Sequence, residues 1–179
     1  MSARLSVPST ELALHGPSKA RAEAANTATR IPTHVELGAW LLQQDFPGIA
    51  ARSLNGETPL MRAAWHGEDA VVEALLADGA EPEAVNDEGN NALWFACLHG
   101  APATILRLAD AGVLLDHAND DGITCLMQAA ASGRVEVLEL LMALGATPGL
   151  SAPDGRSAFD MAADRGRDLL RAARRLGHG

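Results

Sequence analysis

Two glycines recur along this chain at a spacing that never slips. Gly56, Gly89, Gly122 and Gly155 stand 33 residues apart, and Gly67, Gly100, Gly133 and Gly166 follow each of them eleven residues later. A gapless period of this length marks a solenoid, in which one supersecondary unit is written several times and neighbouring units bury one another's apolar faces. The copies open on Asn55-Gly56-Glu57-Thr58-Pro59-Leu60, Glu88-Gly89-Asn90-Asn91-Ala92-Leu93, Asp121-Gly122-Ile123-Thr124-Cys125-Leu126 and Asp154-Gly155-Arg156-Ser157-Ala158-Phe159. The period therefore fixes both the architecture and the number of units.

Each copy follows one physical plan. Thr58 can cap a helix start and Pro59 suits the first turn, where a missing amide is no loss. Leu60 points inward, Ala63 and Ala64 let helices approach closely, and Gly67 permits the left-handed residue that ends the first helix. A second helix is expected from about Glu68 to Asp78, with Val71, Val72, Leu75 and Leu76 on its buried side. A projecting β-hairpin follows, turning at Asp87-Glu88-Gly89, Asp120-Asp121-Gly122 and Pro153-Asp154-Gly155. Before the copies, Thr33-His34-Val35-Glu36 fits a capping box. Leu37, Trp40 and Leu41 then share a helical face, and Phe46-Pro47-Gly48 is expected to stop that helix.

The repeated pattern resembles the ankyrin repeat over about residues 33–177. The third copy is close to the family pattern, and the first keeps Thr58-Pro59-Leu60 in full. The second has Asn91-Ala92-Leu93 in place of Thr-Pro-Leu and Cys97 at its second alanine. The fourth stops early and carries Arg171, Arg174 and Arg175 where apolar residues are expected, which suits a C-terminal cap facing water. The resemblance implies an all-α solenoid of stacked helix–turn–helix units with projecting hairpin turns. Three segments are expected: a disordered tail over 1–17, a helical N-terminal cap over 18–54 whose residues 18–28 are alanine-rich, and repeats over 55–179 with cores beginning near 55, 88, 121 and 154. Counting back 33 residues places the cap helix beside the second helix of the first repeat.

Charge narrows the function. Residues 55–150 carry fifteen acidic and three basic side chains, whereas 1–54 carry four and five and 151–179 carry four and six. An array this acidic repels a phosphate backbone, which argues against nucleic acid, and it favours a protein partner with a basic surface. No apolar run approaches the roughly 18 residues of a membrane span, and residues 1–8 lack the apolar stretch of a secretory signal. The expected setting is cytoplasmic and the expected state monomeric. Cys97 and Cys125 have neither the number of a disulfide framework nor metal-ligand spacing.

Members of the resembled family bind partners on a concave face made of hairpin tips and the solvent side of the first helices. Those positions map here to Asp87, Glu88, Asn90, Asp120, Asp121 and Ile123 on the hairpins. On the first helices they map to Arg62, Trp65 and His66, to Phe95, Leu98 and His99, and to Gln128. The i, i+3, i+4 spacing puts Arg62, Trp65 and His66 on one face, and Phe95, Leu98 and His99 on another. Trp65 leads, since tryptophan is enriched at binding hot spots. Trp94 is expected to pack at a hairpin base and Trp40 in the cap core. His66 and His99 repeat one position in stacked units about 10 Å apart, too far for a shared metal with bonds of about 2 Å. No metal, cofactor or catalytic residue is assigned. A non-catalytic interaction module is the leading reading, ahead of an acidic masking, immunity or chaperone-like protein and of an enzyme.

Overall fold

The computed structural model describes residues 30–176, with side chains as far as Arg167. Contacts divide the chain into two units, Met1–Arg30 and Ile31–Gly179, and of the first only Arg30 is described. The expected tail over 1–17 and the alanine-rich stretch over 18–28 lie outside the described residues. So do the side chains of Arg171, Arg174 and Arg175.

Eight helices follow one another without a strand among the described residues: α1 His34–Gln43, α2 Pro59–His66, α3 Asp69–Ala77, α4 Ala92–His99, α5 Pro102–Asp110, α6 Cys125–Ser132, α7 Val135–Leu144 and α8 Ala158–Leu176. The first helices α2, α4 and α6 stack in one row and the second helices α3, α5 and α7 in another. Thr58, Asn91 and Thr124 cap α2, α4 and α6 through their side-chain oxygens, and Gly67, Gly100 and Gly133 end them in the left-handed conformation. Between the rows lies an apolar layer of equivalent residues, with Leu60, Leu93 and Leu126 from the first row and Leu75, Leu108 and Leu141 from the second, all fully buried. The expected hairpins are reduced to their turns. Each copy repeats the same two main-chain bonds, such as Asn86 N–H to Asn90 O at 3.0 Å and Gly89 N–H to Asn86 O at 3.0 Å. Strand pairing amounts to isolated antiparallel bridges, Ala118 with Thr124 and Ser151 with Ser157.

α1 is a second-row helix without a described partner of the first row. Thr33 and Glu36 close the expected capping box, and Leu37 and Leu41 are buried while Trp40 is partly buried. It sits against α3, where Trp40 Nε1 donates to Glu68 Oε2 at 2.6 Å and His34 Nδ1 lies 3.1 Å from Asp78 Oδ2. Two details differ from the expectation. The helix stops at Gln43, ahead of Phe46-Pro47-Gly48, because Asp45 turns into the left-handed region at φ 61°. Its offset from α3 is also 34 residues. Phe46 N–H bonds Leu41 O as Ala80, Val113 and Ala146 N–H bond Leu75, Leu108 and Leu141 O. Asp45 thus occupies the place of Gly79, Gly112 and Gly145, all at positive φ, and is the one described non-glycine residue there. Asp45→Gly should stabilise the protein by about 0.5 kcal/mol, the relief of the left-handed strain less the extra freedom of an unfolded glycine. An unchanged or lower denaturant midpoint would show that Asp45 is unstrained.

The fourth copy departs from the plan. Where a turn is expected after Gly166, α8 runs on as one helix of 19 residues, although Ala158 is buried as its equivalents Pro59, Ala92 and Cys125 are. The register explains the difference. The core positions filled by Val72 and Leu75, Ile105 and Leu108, and Leu138 and Leu141 become Arg171 and Arg174. Folding back would direct two guanidinium groups toward an apolar layer, at a cost that outweighs the gain in packing. Leu138 is accordingly half-buried, whereas Val72 and Ile105 are fully buried.

One second-row position is at odds with its surroundings. Thr104 is fully buried and its hydroxyl meets no hydrogen-bond partner among the described residues, yet its equivalents are Val71 and Val137. Thr104→Val keeps the shape and removes an unsatisfied group, so the denaturant midpoint should rise by the equivalent of about 1 kcal/mol. A fall would mean that the hydroxyl is satisfied.

Candidate functional site

The turns and first helices of repeats one and two enclose a groove of about 490 Å³. Trp65 stands at its wall, 48% exposed, and Phe95 packs beneath it edge-on, ring centroids 5.6 Å apart at 69°. The Trp65 carbonyl oxygen is 2.9 Å from His99 Nδ1. An exposed indole fixed by an aromatic support and a tethered main chain loses little freedom when a partner covers it. Arg62 forms the floor, with Nη2 2.8 Å from Glu57 Oε2 and its guanidinium carbon 5.8 Å from the Phe46 ring centre.

The thirteen expected contact residues fall into distinct places. Arg62, Trp65, His66, Glu88, Asn90, Phe95 and Leu98 all line the first groove. Asn90 and Phe95 differ from the expectation, being only 4% and 7% exposed. Asn90 is held inside the turn, its N–H bonding Asn86 Oδ1 at 2.9 Å, its Nδ2 bonding Glu88 Oε2 at 2.9 Å and its Oδ1 accepting from Asn119 Nδ2 at 3.1 Å. Phe95 supports Trp65 from below and is no part of an open apolar strip. His99 is exposed but leans over Gly67 and does not line the groove. Ile123 and Gln128 belong to a separate groove of about 340 Å³ between repeats three and four, with Arg156, Met161, Asp164 and Arg165. Met161, at the position of Arg62, Phe95 and Gln128 in the earlier copies, is buried. There Arg156 bonds Asp154 at 2.7 Å and reaches Asp164 at 3.4 Å, and the Arg156 guanidinium holds the Asp154 carboxyl below the usual range.

Asp87, Asp120 and Asp121 stand exposed on the turn edge with no side-chain hydrogen bond or ion pair among the described residues. The turns beneath them stack directly, since Asp87 N–H bonds Asn55 O and Asp120 N–H bonds Glu88 O, each at 3.1 Å. That ladder ends at Pro153, which has no N–H to give. Other carboxylates are occupied by the fold. Glu83 Oε1 accepts from Leu114 N–H at 2.7 Å, and Asp116 Oδ1, one repeat later, accepts from Thr147 N–H at 2.8 Å. Arg107 spans the second row, bonding Asp69 Oδ1 and Oδ2 at 2.9 and 2.7 Å and Glu73 at 2.9 Å. Part of the acidity that reads as partner-seeking in the sequence is therefore stitching between repeats.

Sequence reasoning missed Leu54, Glu57 and Trp94. Leu54 is fully exposed at the first turn, in register with Asp87 and Asp120. Trp94 is half-buried as expected, yet its open side lines the groove together with Glu57. The period itself carried the signal for Leu54, a residue of opposite character at the tip position. Cys97 and Cys125 meet in the core between repeats two and three. Contact with the Cys125 thiol, and then burial, hold the Cys97 thiol well above its usual range, which leaves it inert as a nucleophile. Among the described residues no group of three or more His, Cys, Asp or Glu side chains could hold a metal ion. No helix there is long and apolar enough to cross a membrane.

Stacked helix pairs that present turns and a groove along one side define a repeat scaffold. A family model for a single ankyrin repeat matches residues 55–87, and one for three copies of the ankyrin repeat matches residues 79–152. Together they take in more than half of the chain, which belongs to the ankyrin-repeat family. Ankyrin repeats serve generally as protein–protein interaction modules. No curated protein matches the chain.

Proposed function

We propose that this protein is a non-catalytic interaction module, a regulator or accessory subunit whose partner is a protein with a basic surface. The contact face is the groove of repeats one and two with the turn edge beside it. Trp65 carries the reading: a large side chain left half-exposed at a groove wall, and held from below by a buried phenylalanine, has the character of an interface anchor. Asp87, Glu88, Asp120 and Asp121 form the polar rim, which steers association more than it holds the complex. The unpaired acidic edge also favours the second reading, in which the protein masks a basic partner and charge supplies most of the affinity. Two buried free thiols suit a reducing compartment, in keeping with a cytoplasmic monomer.

The test is recovery of a partner from the native source by the wild type and by Trp65→Ala in parallel, followed by titration of whatever the wild type recovers. Trp65→Ala should weaken binding about tenfold or more, mainly through faster dissociation. Asn substitutions at Asp120 and Asp121 should slow association and flatten its salt dependence. If Trp65→Ala binds as the wild type does while exposed second-row substitutions such as Leu106→Ala do not, the contact face lies on the other side.

A further inference from the structure

The turn edge carries a pattern that says more about the partner than its charge. Successive tips read Leu54-Asn55, Asp87-Glu88, Asp120-Asp121 and Pro153-Asp154. The first presents a fully exposed leucine, and the second and third present exposed carboxylates, of which Asp87, Asp120 and Asp121 are without a cation. The fourth is already neutralised, since Asp154 is bonded by Arg156. The order along the stack is thus apolar, acidic, acidic, satisfied. Main-chain bonds lock the first three turns side by side, so the spacing does not adjust to the partner. Neighbouring repeats are on the order of 10 Å apart, as packed helices are. An extended polypeptide advances about 3.3 Å per residue, so three residues of it span one repeat.

We propose that the partner docks as an extended segment lying across the turn edge, with one apolar residue and two lysines or arginines at intervals of three. The apolar residue covers Leu54. The first cation enters the groove between Glu88 and Trp65, where a carboxylate and the open side of an indole attract it together. The second meets Asp120 and Asp121. This rests on the proposed contact face and adds the chemistry and spacing of what fills it. A phosphate backbone has the wrong charge, and a helix would reach three tips only with its three residues about seven apart, so the interval of three distinguishes an extended segment from a helical one.

Labelled synthetic peptides titrated into the full chain by fluorescence polarisation provide the test. The spaced peptide is Leu-Ser-Ser-Arg-Ser-Ser-Arg, with its reversed sequence covering the other chain direction, and the control Leu-Ser-Ser-Ser-Ser-Arg-Arg has the same composition. One spaced peptide should bind about fivefold or more tighter than the control near physiological ionic strength, and that preference should vanish in an E88Q/D120N/D121N variant whose melting is unchanged. Trp65→Ala should weaken the spaced peptide more than the control. Equal affinity for spaced and clustered peptides, absence of binding by either, or a preference that survives the triple substitution overturns the inference. If spacing has no effect but Trp65→Ala still loses the cellular partner, the contact face stands and only its occupant is wrong. If Trp65→Ala loses nothing, the contact face itself falls, whatever the peptides do.

Discussion

Leu126→Ala is expected to destabilise the protein by about 2–5 kcal/mol, read from the denaturant midpoint at an unchanged slope. Leu126 is 1% exposed and lies on α6, which packs against α4 on one side, α8 on the other and α7 behind. Ala129 and Ala130 bring those helices close, so the walls of the resulting cavity have little side chain with which to collapse. The cost should therefore fall in the upper part of the range. Repeat arrays are stabilised by nearest-neighbour interfaces, and this substitution damages two of them. A loss below about 1 kcal/mol would mean that Leu126 is not packed as described.

Gly89→Ala is expected to cost about 2–4 kcal/mol, although it adds only one methyl group, at a buried position inside a turn. Gly89 sits at φ 76°, where an L-residue loses roughly 1–2 kcal/mol. A Cβ there would also lie 2.7 Å from the main-chain nitrogen of Asp120, and closer still to its Oδ1. The carboxylate can swing away, but the nitrogen is fixed by its bond to Glu88 O. The turns must then part, with loss of a hydrogen bond worth about 1 kcal/mol. Gly79→Ala separates the two effects: Gly79 has φ 90° but nothing within 4 Å of the added carbon, so only the backbone strain of about 1–2 kcal/mol applies. Equal losses at the two positions would show that the turns do not press on one another. Gly89→Ala should also weaken binding along the turn edge, because it disturbs the spacing between Asp87 and Asp120.

The acidity of the array illustrates how a sequence signal divides once it is folded. Fifteen carboxylates over 55–150 read as one surface. Glu83 and Asp116 instead cap the next repeat's main chain, Asp69 and Glu73 grip Arg107, and Asp87, Asp120 and Asp121 remain open to a partner. Each of the bonded groups meets an atom about one repeat away in the chain. Composition has no access to that, since it depends on which repeat lies against which.

What the sequence determined by itself was everything that the 33-residue period carries: a helical solenoid, the helix starts at Thr58, Asn91 and Thr124, the left-handed ends at Gly67, Gly100 and Gly133, and the buried leucines between the rows. These are local requirements, repeated often enough to be unmistakable, because a cap, a left-handed residue and a 3.6-residue stripe each demand particular side chains within a few positions. The tertiary structure alone decided the rest. It turned Phe95 and Asn90 inward, one to support Trp65 and the other to bind a turn, because both meet the neighbouring repeat. It divided the expected contact face into two grooves, and it let α8 run straight, because the arginines at 171 and 174 have no place against the apolar layer that the third repeat offers. All of these depend on what stands one repeat away, and a position in a stack acquires its neighbours only when the stack exists.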